Sequence, residues 1–207
     1  MKGLIIKDII MTKKHSLAIF LCCIIFFVIS ALSKSVYLSF YASAVISLIA
    51  ITIMAFDDAY RWTKYEAVLP VSKRSIVLEK YLLVLIICTP VIIIQAIFYP
   101  AVFGFGFSDT VELLAVNILC AIISPSIIFP IIFKFGYIKA KALNVVLIAL
   151  IAAVTGASAK IALSGNVLIK GSFSLNKSIV LIFLVTSVLI YSVSILLSIQ
   201  LYKSKEF

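Results

Sequence analysis

The sequence is poor in charged residues and almost lacks histidine. Only 13% of its 207 residues are Asp, Glu, Lys or Arg, and His15 is the single histidine. A soluble domain has about 25% charged and about 45–50% apolar residues. Here the apolar share is 64%, which is more apolar surface than one core of this size can cover. The excess must face lipid, which indicates an integral membrane protein.

Further absences bear on catalysis. No G-x-x-x-x-G-K-[S/T] segment occurs, so the chain has no P-loop to hold ATP phosphates. A single histidine excludes a metal site built on paired histidines and disfavours a Ser/His dyad. The four cysteines lie in apolar runs without a C-x-x-C pair, which predicts neither a metal site nor a disulfide framework. We expect no catalytic residue, metal or cofactor in this chain.

Long runs without charge dominate what is present. There are six such runs, at residues 16–33, 35–56, 81–106, 113–133, 142–159 and 178–202. About 20 apolar residues cross the hydrocarbon core, and lipid offers no partner for a free backbone amide, so each run is predicted to be helical. The fold class is therefore all-α, a single transmembrane domain over 1–207 with six transmembrane helices. Only Lys34 separates the first two runs, which predicts a tight hairpin between them.

The distribution of Lys and Arg predicts the orientation. If both termini are cytoplasmic, 14 of the 18 basic residues lie inside and 4 outside, as the positive-inside rule requires. The extracellular segments then include the long loop 160–177. The net charge of +10 is compatible with nucleic acid, but the basic residues lie in short segments between apolar runs, so we expect a membrane partner and no nucleic acid.

Residues 1–14 are too charged to span. On a helical wheel one apolar arc faces a polar arc with Lys7 and Asp8, which favours a helix lying in the cytoplasmic membrane interface. An ordinary basic leader without a further role is the alternative. The residues assigned to the interfacial helix are Lys2, Ile5, Ile6, Lys7, Ile9 and Ile10.

Residues 57–80 form the longest polar interval, with five basic residues, four acidic residues and the only tryptophan. A connector between two helices needs only a few residues. Pro70 predicts a bend after Leu69, because proline cannot donate a backbone hydrogen bond and disfavours helix in the preceding residue. The pattern favours a short helix, a proline corner and a helix that continues into the third span. An interfacial loop whose aromatic residues belong to an aromatic belt fits equally well.

Polar residues inside the runs are few. Gln95, Asn117 and Asn144 are predicted to form hydrogen bonds between helices, or alternatively to line a transport path. No Asp, Glu, Lys, Arg or His lies within the six runs, which argues against a proton-coupled carrier.

Three features resemble the small type-2 ABC permeases, which include exporters of phenol-soluble modulins and relatives linked to bacteriocin immunity. The chain opens on Met1–Asp8, a basic helix with an aspartate before the first span. The second run ends in Phe56-Asp57-Asp58, where that family tends to show Phe-Asp-Glu, so Asp58 is a departure. The signature between spans two and three is matched by Trp62, Tyr65, Leu69-Pro70-Val71-Ser72, Arg74, Ile76-Val77 and Lys80-Tyr81.

The resemblance implies the permease subunit of an ATP-driven exporter for amphipathic or membrane-active peptides in the cell membrane. Two permeases, identical or sister chains, would pair with two ABC ATPase subunits that bind ATP and Mg. The segment 57–80 would hold a coupling helix seated on the ATPase. The residues this assigns to coupling are Asp58, Tyr60, Arg61, Trp62, Lys64, Tyr65, Glu66, Leu69, Pro70 and Arg74. An ATP-independent carrier or a stand-alone immunity protein is the alternative.

Overall fold

The structure is a computed structural model that describes residues 2–33, 36–60, 62, 65, 71–137, 140, 142–143, 145–146, 149–150, 153 and 177–203. Within these residues the regular structure is helical, and no strand occurs. The elements are α1 (Lys2–Ser33), α2 (Tyr37–Ala59), α3 (Lys73–Phe98), a π-helical turn (Tyr99–Phe103), α4 (Phe107–Phe135) and α5 (Lys177–Lys203). This agrees with the all-α prediction, because apolar segments of this length can satisfy their backbone groups in lipid only as helices.

The N-terminal segment differs from the sequence-based prediction. An interfacial helix over 1–14 and a separate span from residue 16 were expected, but the structure joins them in the continuous helix α1. No glycine or proline lies between residues 4 and 33 to interrupt the backbone ladder. Leu4 and Asp8 are buried against the other helices, so α1 is packed on the bundle from its first turns.

Four helices in the described part of the chain are long and apolar enough to cross a membrane: Leu38–Ala59, Lys73–Phe103, Phe107–Phe135 and Val180–Lys203. Phe20–Ser33, at the end of α1, is a shorter apolar helix. The fifth predicted span, at 142–159, and the loop at 160–177 fall largely outside the described residues. The count of six spans stays a prediction.

α2 packs between α1 and α4, while α5 lies along α4. α3 contacts α1, α2, α4 and α5. Small residues allow the close approach around α2, where Ala42 and Ala50 are fully buried. Phe26 of α1 stacks on Tyr41 of α2 at 5.7 Å, which holds the predicted hairpin between the first two helices together.

α3 begins at a proper N-cap. Ser72 has an extended backbone, and its hydroxyl accepts a hydrogen bond from the amide of Ser75 at 3.2 Å. At its other end, the π-helical turn closes on Gly104, which adopts the left-handed conformation (φ 68°) that glycine tolerates without strain. α3 is therefore a defined rod that starts eight residues before the third span predicted from charge alone.

Candidate functional site

Five ionisable side chains meet at one end of the bundle. Lys80 of α3 contacts Asp8 of α1 (Nζ–Oδ2 2.5 Å) and Asp57 of α2 (Nζ–Oδ2 2.6 Å). Lys7 contacts the other oxygens of the same carboxylates, at 2.9 Å for Asp8 and 2.7 Å for Asp57. Glu79 lies beside Lys80, with 3.6 Å between Nζ and Oε2. We call these residues the charge cluster.

Local sequence places these side chains. Lys7–Asp8 and Glu79–Lys80 are adjacent pairs, so one turn of α1 and one turn of α3 each supply an acid and a base. Asp57 lies in the last turn of α2, which brings its carboxylate to the same level. The cluster joins three helices that are distant in sequence.

Because the contacts of the charge cluster are buried, losing one of them lowers the stability of the protein strongly. Asp8 is fully buried, and Lys80 and Asp57 are 3% and 5% exposed. A buried ion pair adds little net stability over an apolar replacement, but removing one partner leaves a charge without compensation and costs about 3–5 kcal/mol. Among the described residues no group of three His, Cys, Asp or Glu is arranged to hold a metal ion. The contacts within the cluster make it an ion-pair network between three helices.

Asp8 shows the balance of effects within the cluster. Burial by itself raises the pKa of this carboxyl group. Attraction to Lys80, together with the hydrogen bond that Lys80 donates, more than offsets burial and holds the pKa of Asp8 below its usual value. Asp8 is thus ionised at neutral pH in the folded protein.

Trp62 and Tyr65 are the described aromatic residues of the predicted coupling segment. Lys7 Nζ lies 4.5 Å from the centre of the Trp62 ring, and Trp62 packs against the main core. The ring of Tyr65 lies 5.9 Å from that of Trp62, but Tyr65 is 63% exposed. Trp62 therefore faces the bundle, while Tyr65 faces outward.

The other residues assigned to coupling divide into two groups. Arg61, Lys64, Glu66, Leu69 and Pro70 lie outside the described residues, as does most of the predicted coupling helix. Tyr60, which follows α2, and Arg74, in the first turn of α3, are both exposed.

Asp58, the residue that departs from the resembled pattern, closes a contact to the far end of α4. Its Oδ2 accepts a hydrogen bond from the backbone amide of Tyr137 at 3.1 Å. Gly136 ends α4 with φ 82°, and a Cβ at this position would lie 3.5 Å from the same oxygen. The short aspartate thus ties the end of α2 to the end of α4.

Tyr81 continues the network from α3 to α5. Its hydroxyl is hydrogen-bonded to the hydroxyls of Ser194 and Ser198, while Tyr191 donates to the Tyr81 carbonyl at 2.6 Å. Ser194 also donates to the carbonyl of Ser126 in α4 at 2.6 Å. Residues 80 and 81 together connect α3 to the four other helices.

A second polar network lies deeper in the bundle. Gln95 of α3 donates to the carbonyl of Ser39 (3.0 Å) and the hydroxyl of Ser43 (2.8 Å), both in α2. Asn117 of α4 accepts from Ser43 at 2.8 Å and donates to the Tyr99 hydroxyl at 2.6 Å. Both amides are fully buried and join helices. Asn144 lies outside the described residues.

The family model described as ABC-2 family transporter protein matches residues 3–203 of the chain. The chain belongs to this family. It is the membrane component of an ABC transporter, and membership implies an ABC ATPase subunit as its partner. No curated protein and no solved structure matches. Family membership and the apolar helices together show that the chain is a multi-pass membrane protein. Members of the ABC-2 family form the membrane component of the transporter and are not themselves catalytic.

The charge cluster of this ABC-2 permease was not predicted from the sequence. Bracketing the spans by charge placed Asp57, Glu79 and Lys80 outside them, although all three are buried in helices. The six apolar runs contain no Asp, Glu, Lys, Arg or His, but the helices extend beyond the ends of these runs. The available signal was the position of these charges, each within one turn of an apolar run.

Proposed function

We propose that this chain is the membrane-spanning subunit of an ATP-driven exporter whose ATPase is a separate polypeptide. The observation that carries the proposal is the family match over almost the whole chain, combined with a sequence that has no P-loop. Hydrolysis must then occur on a partner, and its work must reach the membrane helices through a contact between the two proteins.

Segment 57–80 is the proposed contact. The residues at its two ends, Asp57 and Lys80, form an ion pair, and Lys80 also pairs with Asp8. A push on the segment therefore acts on α1, α2 and α3 as one unit. Tyr81 passes the same displacement to α5 through its hydrogen bonds. We propose that the ATPase binds the exposed side of this segment, including Tyr65 and Arg74.

The orientation predicted from the basic residues is compatible with this arrangement. With both termini cytoplasmic, the positive-inside rule is satisfied and segment 57–80 lies on the side where ATP is found. We propose two permeases, identical or sister chains, with two ATPase subunits in the cell membrane. ATP-driven closure of the ATPase pair would rock the permeases.

An amphipathic or membrane-active peptide is the proposed cargo. Between their charged ends, the described spans present apolar side chains and neutral hydroxyls and amides, so an apolar helix face can pass these middle parts without meeting a charge. A small hydrophilic ion or sugar moving in a liposome assay would contradict this cargo class.

Affinity purification of the tagged chain from its own cells in mild detergent tests the function. We expect a P-loop protein at one-to-one stoichiometry, and cargo movement in liposomes only with that protein and ATP. Transport by the purified chain alone would instead favour an ATP-independent carrier. A stand-alone immunity protein would show neither a stoichiometric ATPase nor transport.

A further inference from the structure

Glu79 has an environment that its neighbours do not share. It is 1% exposed, and among the residues that the structure describes neither of its side-chain oxygens has a hydrogen-bond donor within reach. Lys80 Nζ is 3.6 Å away and makes its shorter contacts to Asp8 and Asp57 instead. An ionised carboxylate left dry and without a donor is strongly disfavoured.

A second carboxyl group lies next to Glu79, because Asp8 and Glu79 both approach Lys80 Nζ, at 2.5 and 3.6 Å. Two carboxylates this close together in a dry site repel each other, and a proton on one of them removes the repulsion. Asp8 is already bonded by Lys7 and Lys80, which stabilise its charge, so the proton resides on Glu79.

The charge count gives the same answer independently. In the described part of the cluster three carboxyl groups meet two ammonium groups, so the fully ionised cluster carries one uncompensated negative charge. One bound proton makes it neutral. In the described part of the chain, the charged groups around Glu79 are Lys7 and Asp8 from α1 and Lys80 from its own helix, and Lys80 in turn pairs with Asp57 of α2.

We propose that Glu79 is a proton-binding site that keeps α1 seated on α3. In the bound state Glu79 donates its O–H to Asp8. When the proton leaves to water, the O–H bond breaks and two carboxylates are left in contact in a dry site, so the contact between α1 and α3 opens and hydrates. Lys7, whose side chain is 20% exposed, gives the cluster its access to water.

Infrared spectroscopy of the purified full chain tests for the proton directly. The sequence has only eight Asp and Glu residues, which makes the signals assignable. We expect the carbonyl stretch of a protonated carboxylic acid at neutral pH, absent in Glu79→Gln. It should also be absent in Asp8→Asn, since removing one carboxylate leaves Glu79 to balance a lysine. Asp109→Asn, at the opposite end of α3–α4, is the control that keeps the signal. Wild-type protein without this signal at neutral pH overturns the proposal.

The pH dependence of stability is the second measurement. Glutamine mimics the protonated carboxyl group, so Glu79→Gln should fold like the wild type. Above about pH 4.3, the ordinary pKa of glutamate, the folded wild type holds a proton that the unfolded chain has lost. Stability then falls as pH rises, by about tenfold in the unfolding constant per pH unit relative to Glu79→Gln, until the folded protein also releases the proton. An unchanged ratio of the two unfolding constants from pH 5 upward would refute the site. The test involves no ATPase or cargo, so its failure leaves the proposed function standing.

Discussion

Asp57 and Lys80, the two ends of the segment that joins α2 to α3, are bonded to each other with Nζ and Oδ2 2.6 Å apart. The stretch of 22 residues between them includes the end of α2 and the first turns of α3, and the buried ion pair joins its two ends. Asp8 also pairs with the same lysine and so attaches the N-terminal helix. Movement of α3 at this end therefore acts on α1 and α2 unless the ion pairs break.

The first prediction concerns Lys80. Lys80→Met leaves the carboxylates of Asp8 and Asp57 buried with less compensation, so the free energy of unfolding should fall by about 3–5 kcal/mol. Thermal or denaturant unfolding of the purified chain in detergent measures it. Lys73→Met, an exposed change in the same helix, should stay within about 0.5 kcal/mol. Equal effects of the two substitutions would show that Lys80 is not paired in a buried site.

The second prediction is that Asp57 and Lys80 act together. Removing both charges in Asp57→Asn/Lys80→Met should cost less than the sum of the single substitutions, because each single change strands the other charge. A double-mutant cycle should give a coupling energy of about 0.5–3 kcal/mol. Additive effects would contradict the direct contact.

The third prediction separates Trp62 from Tyr65. Tyr65 is exposed, so Tyr65→Asp should reduce co-purification of the ATPase while leaving the stability of the permease unchanged. Trp62 packs on Lys7, so Trp62→Leu should lower permease stability by about 1–2 kcal/mol through the lost cation–π contact and packing. Measuring both quantities for both variants gives the test. If Tyr65→Asp retained the full complement of ATPase, the proposed docking surface would be wrong.

The fourth prediction concerns the deeper polar network. Asn117→Leu leaves Gln95, Ser43 and Tyr99 without one partner each, and should cost about 1–3 kcal/mol of stability. The matched control is Thr89→Val in α3, whose exposed hydroxyl bonds only to the carbonyl of Leu85 in its own helix. Thermal unfolding of both variants should show a clear loss for Asn117→Leu and almost none for the control.

The apolar runs predicted where the described helices lie but not the residues at which those helices begin and end. The run at 81–106 correctly located the third long helix, but α3 begins at Lys73, because the N-cap at Ser72 and not the last charge decides where the backbone ladder starts. The continuity of α1 from Lys2 into the first apolar run was likewise not predicted, because the charged residues at 7–14 were taken to end that run. When the partners of a buried charge are unknown, the charged residue is taken to mark the end of a transmembrane helix.

The candidate site was only partly predictable for the same reason. Gln95 and Asn117 were recognisable as polar residues in apolar runs, but that they meet each other, Ser43 and Tyr99 depends on how three helices pack. Trp62 was recognised as special, yet its contact with Lys7, 55 positions earlier, is a property of the folded chain.

Composition alone determined that the chain is a membrane protein, since a chain of 207 residues with a 64% apolar share has more apolar surface than one soluble core can bury. The lack of a P-loop in the sequence predicted a separate ATPase, and membership of the ABC-2 family implies such a partner. Only the tertiary structure decided that Lys7, Asp8, Asp57, Glu79 and Lys80 share one buried site. Charges are compensated by whatever lies within a few ångströms, and that distance is set by helix packing rather than by position along the chain.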